Sequence, residues 1–196
     1  MAEMKRGRLN AEGRFRKAEE PSLRLAEPFP VPEMDEKRRR TCCFTGHRPA
    51  KLTAPEQEVR QWLEAEIDRA VADGYTDFIT GCAMGVDIWA GQIVLRKREE
   101  NPALRLIAAS PWPETASKWN PVWKRQYEDL IRRADETVMV CSFYHAGVYR
   151  QRNIWMVERS SRLIAYYNGA PGGTRFTVLY ALNHGVDVAQ YGFPPR

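Results

Sequence analysis

Short apolar runs and longer amphipathic stretches alternate along the chain from Thr41 onward. Cys42-Cys43-Phe44-Thr45 is a run of strand length that stops at Gly46, ahead of His47-Arg48-Pro49. Thr53-Ala54-Pro55-Glu56 has capping-box spacing with proline in the first turn, and Val59, Trp62, Leu63, Ile67, Ala70 and Val71 then recur at helical intervals up to Gly74. Asp77-Phe78-Ile79-Thr80 predicts a second strand. The turn Gly81-Cys82-Ala83-Met84-Gly85 follows, then a helix whose inward face carries Val86, Trp89, Ala90, Ile93 and Val94. A third strand, Leu104 to Ala109, runs into a long aromatic loop containing Trp112 and Trp119. Asn120 and Pro121 are a cap and a first helical residue, with Trp123, Tyr127, Leu130, Ile131 and Ala134 inward. Thr137 to Cys141 and Leu163 to Tyr167 read as strands on either side of a helix from Arg150 to Ser160 with Ile154 and Val157 inward. A helix from Phe176 to His184 and a short strand from Val186 to Gln190 complete the pattern. Apolar strands alternating with amphipathic helices predict an α/β fold: a Rossmann-like, open, mainly parallel sheet with helices on both faces.

Residues 1–40 break that pattern. They mix charges of both signs with Pro21, Pro28, Pro30 and Pro32 and show no sustained period, so they are expected to be a disordered basic leader, with the domain occupying 41–196. A start codon placed upstream of the true one gives the same composition. The formal charge of +5 divides unevenly: the leader holds 11 Lys/Arg against 8 Asp/Glu, the remainder 19 against 17. The domain is thus nearly neutral, and the run Lys37-Arg38-Arg39-Arg40 reads as a solvated linker. Cys42, Cys43, Cys82 and Cys141 lack metal-ligand spacing and fit buried thiols of a reducing compartment. No apolar run reaches the ~20 residues of a membrane span, and no apolar signal core opens the chain. A cytoplasmic location is expected.

In an open parallel sheet, ligands bind beyond the carboxyl ends of the strands. The polar and glycine-rich loops all fall on that edge: Thr45, Gly46, His47 and Arg48 after the first strand, Gly81 to Gly85 after the second, Trp112 to Trp119 after the third, Gly172, Gly173 and Thr174 after the fifth. Glycine turns that open helices offer N–H groups to phosphates, Arg48 offers a fork of donors, and tryptophans offer flat faces to a base. Taken singly, Gly46 and Gly81 serve equally well as strand terminators. Trp123 fits a core stripe, whereas Trp112 and Trp119 fit none and are assigned to a pocket wall. Asp87, in the first turn of its helix, either complements the helix dipole or accepts hydrogen bonds from ribose hydroxyls or amines. His47, His145 and His184 share no spacing for a metal site or a triad.

With these residues assembled, residues 41–192 resemble the YpsA-like family of the SLOG superfamily, which also holds the DprA DNA-processing proteins and the Lonely Guy phosphoribohydrolases. The resemblance rests on Thr45-Gly46-His47-Arg48-Pro49, on Gly81, Gly85, Asp87, Trp89 and Ala90, on Pro111 and Trp119, on Arg152-Asn153 with Met156, Val157 and Ser160, and on Gly172-Gly173-Thr174 with Thr177. It implies a Rossmann-like fold, a nucleotide or nucleotide-derived ligand, and commonly an oligomer; it firmly implies no cofactor. The Lonely Guy signature ends Gly-Thr-x-x-Glu, and here that offset gives Thr177, which cannot supply the carboxylate that stabilises a cationic sugar. The first expectation is therefore a nucleotide-derivative binding protein, a sensor or regulatory module, with ligand contacts from Thr45, Gly46, His47, Arg48, Gly81, Gly85, Asp87, Trp112, Trp119, Gly172, Gly173, Thr174 and Thr177 and no metal. An enzyme cleaving an N-glycosidic bond with Asp87 as its carboxylate is the alternative. Single-stranded DNA binding through the basic leader is a weaker third.

Overall fold

The computed structural model describes residues 35–192. The leader reading of residues 1–34 lies outside the described residues. Residues 35–40, by contrast, belong to the folded body. Asp35 caps a short helix, α1 (Glu36–Arg39), by accepting from the Arg38 N–H at 2.7 Å. Arg38 is buried and its Nε donates to the Ser160 carbonyl at 3.3 Å, so one member of the basic run is taken out of solvent by a backbone acceptor.

Six strands follow the predicted order: β1 (Thr41–Gly46), β2 (Asp77–Thr80), β3 (Arg105–Ser110), β4 (Glu136–Met139), β5 (Arg162–Tyr166) and β6 (Asp187–Gln190). They form one sheet in the order β4-β3-β2-β1-β5-β6, and every pair is parallel. The crossovers carry α2 (Glu56–Ala72), α3 (Val86–Glu100), α4 (Pro121–Arg133), α5 (Val148–Glu158) and α6 (Gly173–Asn183). Because side chains alternate along a strand, β1 sends Cys42 and Phe44 to one face and Cys43 to the other. The first face packs with Phe78, Leu106 and Ile164 against α2, α3 and α4; the second packs with Ile79, Ile107, Leu163 and Ala165 against α5 and α6. Burial on both faces is why these strands read as unbroken apolar runs.

The helices show where local pattern and packing part company. α2 buries Val59, Leu63, Ile67 and Ala70 as expected. Its predicted capping box does not form: Pro55 is the cap residue and no side chain caps the helix. The Thr53 hydroxyl lies 3.1 Å from the Tyr166 hydroxyl, which also accepts from the N–H groups of Thr53 at 3.2 Å and Ala54 at 3.1 Å. A phenol at the end of a central strand needs polar partners, and it takes the segment that would have capped the helix. α3 is buried almost all round from Val86 to Leu95, because it lies between the sheet, α2 and α4. α4 is capped as predicted, with Asn120 accepting from the Trp123 N–H at 3.1 Å. α5 begins at Val148, and its buried positions are Val148, Arg152, Met156 and Val157; Ile154 is only partly covered. Among the described residues, no helix is long and apolar enough to cross a membrane.

Candidate functional site

The strand order reverses between β1 and β5, which makes the crevice beyond their carboxyl ends the topological switch point of the sheet. A cavity of about 280 Å³ opens there. Its wall is formed by Thr45, Gly46, His47, Arg48 and Lys51 from the β1 end, Ala83 and Asp87 from the β2–α3 turn, Tyr149, Arg152 and Asn153 from α5, and Pro171, Gly172, Gly173 and Thr174 from the β5 end. Eight of the residues singled out from the sequence therefore meet on one surface: Thr45, Gly46, His47, Arg48, Asp87, Gly172, Gly173 and Thr174.

The start of α6 faces this cavity. Gly172 caps it at φ 141°, a conformation that L side chains rarely adopt, and among the described residues no side chain makes a capping hydrogen bond to the helix. The first-turn N–H groups are consequently open to an anion. The Thr174 hydroxyl donates to the Gly46 carbonyl at 3.1 Å and ties this helix start to β1. Across the cavity, Gly85 caps α3 at φ 93°; an added Cβ would lie 2.8 Å from the His47 carbonyl oxygen and 2.9 Å from Pro49 Cδ. Gly85 thus permits the β1 and β2 loops to touch and stands behind the wall rather than on it.

Gly81 also lies behind the wall, because a side chain from α5 fills the space next to it. Arg152, only 5% exposed, donates through Nη1 to the Gly81 carbonyl, and the same nitrogen stands 3.5 Å from Asp87 Oδ2. Its Nε is buried and has no hydrogen-bond partner among the described residues. Asp87 accepts from the Ala83 N–H at 3.4 Å. Burial pushes its carboxyl up to about 6, against the opposing pull of Arg152 and the Ala83 N–H. Burial also lowers the pKa of His47, whose Nε2 accepts from the Asn168 N–H at 3.4 Å. Arg48, Lys51 and Arg152 share the cavity wall with a single carboxylate.

The remaining predicted residues sit elsewhere. Thr177 is buried beneath the wall, donating to the Gly173 carbonyl at 2.8 Å and accepting from Asn153 Nδ2 at 2.7 Å. Trp119 packs edge-on to Tyr127 and joins the core. Trp112 leans on Tyr144 and Tyr149 beside the cavity. Site reasoning from sequence did not name Lys51, Ala83, Tyr149, Arg152, Asn153 or Pro171 of this wall; of these, Arg152 carried a signal, a charge on the apolar stripe Val148, Met156, one turn from each. Cys42, Cys43 and Cys82 are fully buried, and burial raises all three thiols, Cys43 and Cys82 to about 12, which leaves them poor nucleophiles.

Comparison with known proteins agrees with the fold. A UPF0398 protein of Bacillus pumilus is 27% identical over 138 residues, covering 66% of this chain and 74% of the relative. A UPF0398 protein of Oceanobacillus iheyensis is 28% identical over 141 residues, covering 67% and 76%. Among solved structures, DNA processing protein A of Streptococcus pneumoniae superposes with a TM-score of 0.56 at 15% identity over 78% of this chain, which spans half (50%) of that protein. The Helicobacter pylori DNA processing protein A, described by its single-stranded DNA binding mode, gives 0.56 at 16% identity, covering 80% and 66%. Both likenesses show the fold. A model of the YspA SLOG family matches residues 42–188, a span containing every residue of the cavity wall, and the chain belongs to that family.

Proposed function

We propose that this protein binds an anionic, nucleotide-derived small molecule in the switch-point cavity, as a ligand sensor or regulatory module. The observation that carries the reading is the pairing of an open α6 N-terminus with the buried Arg152, whose Nε has no hydrogen-bond partner among the described residues, on the same wall. Fixed N–H donors and a guanidinium suit phosphate oxygens, while Asp87 and Asn153 suit sugar hydroxyls. Titration calorimetry against mononucleotides, dinucleotides and ADP-ribose tests it. Binding to a member of that panel is expected, weakened about tenfold or more in Arg152→Gln, consistent with a charge-assisted hydrogen bond. A folded protein that binds none of them refutes the reading.

Asp87 favours a second reading, in which the bound nucleotide is cleaved. A carboxyl raised to about 6 exchanges its proton near neutral pH, as a general acid or base does. Released base or sugar phosphate that disappears in Asp87→Asn supports it; product formed unchanged by that variant removes Asp87 from the chemistry. DNA binding, the activity in the Helicobacter pylori protein's description, gains little from the near balance of 19 Lys/Arg against 17 Asp/Glu over residues 41–196.

A further inference from the structure

Beside the cavity, on the β3–β4 side, stands an aromatic group that the core does not absorb. Tyr149 belongs to the cavity wall and is 41% exposed. Trp112, in the loop after β3, meets Tyr149 at 5.4 Å and 77° and Tyr144, in the loop after β4, at 5.1 Å and 62°. Tyr144 is 62% exposed and its neighbour Phe143 70% exposed. One tryptophan thus uses edge-to-face contacts to hold two tyrosines in place while much of their surface stays in water. Tyr149 lies three residues from Arg152 on α5, so both reach the cavity from one helix face.

We propose that Tyr149 and Tyr144, held by Trp112, are the ring-binding subsite of this cavity. The ligand lies across the carboxyl edge of the sheet, with its anionic group at Gly172–Thr174 and its base against the tyrosines. The inference rests on the binding reading above and adds the ligand's polarity and the requirement for a planar ring. Its geometry follows from the sheet: the β5 end and the β3 end are three strand spacings apart, about 14 Å. That separation suits an extended mononucleotide. Asp87, in the first turn of the helix that follows β2, falls between the two ends, where the sugar would lie. Stacking on an aromatic side chain tolerates any base, so the subsite predicts a ring preference stronger than a preference among bases.

The test compares AMP with ribose 5-phosphate, which lacks the ring, using calorimetry and tryptophan fluorescence. AMP is expected to bind about ten- to a hundredfold more tightly than ribose 5-phosphate. Tyr144→Ala, at a position 62% exposed, and Tyr149→Leu should each remove most of that advantage. AMP should quench fluorescence in the native chain, with a smaller signal in Trp112→Phe and none from ribose 5-phosphate. Equal affinity for the two probes, or an AMP preference that survives both tyrosine substitutions, overturns the subsite and leaves the anion-binding cavity standing. Failure of both probes to bind the folded protein overturns the mononucleotide subsite, and the cavity reading falls with it only if the dinucleotides and ADP-ribose fail as well.

Discussion

Replacing Asp87 by asparagine isolates the cost of keeping a carboxylate in the wall of this cavity. Asp87 is 6% exposed, and burial raises its carboxyl from an ordinary value of 3.8 to about 6. That net value already contains the attraction of Arg152 and the Ala83 N–H. Each pKa unit corresponds to about 1.4 kcal/mol, so ionised Asp87 disfavours the folded state by about 3 kcal/mol relative to its protonated form. The sign follows from proton counting. Between 3.8 and about 6 the folded protein holds a proton that the unfolded chain has released, so this contribution to stability is complete below 3.8 and is lost as pH rises through about 6. Asparagine keeps the shape and cannot titrate. Urea unfolding of both proteins from about pH 4 to about pH 7.5 should show Asp87→Asn gaining about 3 kcal/mol relative to the native chain across that range. Glu64, whose pKa is lowered by Arg96, and His47 titrate in both proteins and cancel in the difference. A difference that stays flat over the interval refutes the assignment of Asp87 as a buried, desolvated acid.

Gly85→Ala places a Cβ 2.8 Å from a backbone oxygen at φ 93°, and neither the His47 carbonyl nor Pro49 has room to yield; a loss of roughly 1–3 kcal/mol in urea unfolding is expected, together with loss of nucleotide binding as the His47-Arg48 loop shifts. Tyr166→Phe removes the acceptor of two backbone N–H groups, those of Thr53 and Ala54, and should lower the urea midpoint by the equivalent of roughly 1–3 kcal/mol. Asn120→Ala should cost about 1 kcal/mol, with faster amide exchange confined to the first turn of α4, because it strips that helix of its side-chain cap.

The order of elements, the class of fold and the edge on which the cavity opens are all present in the linear pattern. Strands covered on both faces must be apolar at consecutive positions, as Cys42 to Phe44 and Phe78 to Ile79 are, and helices covered on one face must repeat at three and four, as α2 does. Those are local requirements, and they appear wherever the chain is read. That Gly172-Gly173-Thr174 and Gly46-His47-Arg48 would meet at one cavity was recognisable for a related reason: in a parallel sheet every such loop emerges at the same edge. What the tertiary structure alone decided is which distant groups share a buried polar contact. Arg152 reaches Gly81 across 71 residues of chain, and that contact makes Gly81 a packing position and Asp87 one half of a buried pair. Tyr166 draws Thr53 away from its capping box across 113 residues, and the Ser160 carbonyl draws Arg38 out of an exposed basic run across 122. No period or motif encodes such pairings. A buried donor or acceptor must be satisfied by whatever group the packing of the elements brings within reach, and that is known only once the sheet order has set every neighbour.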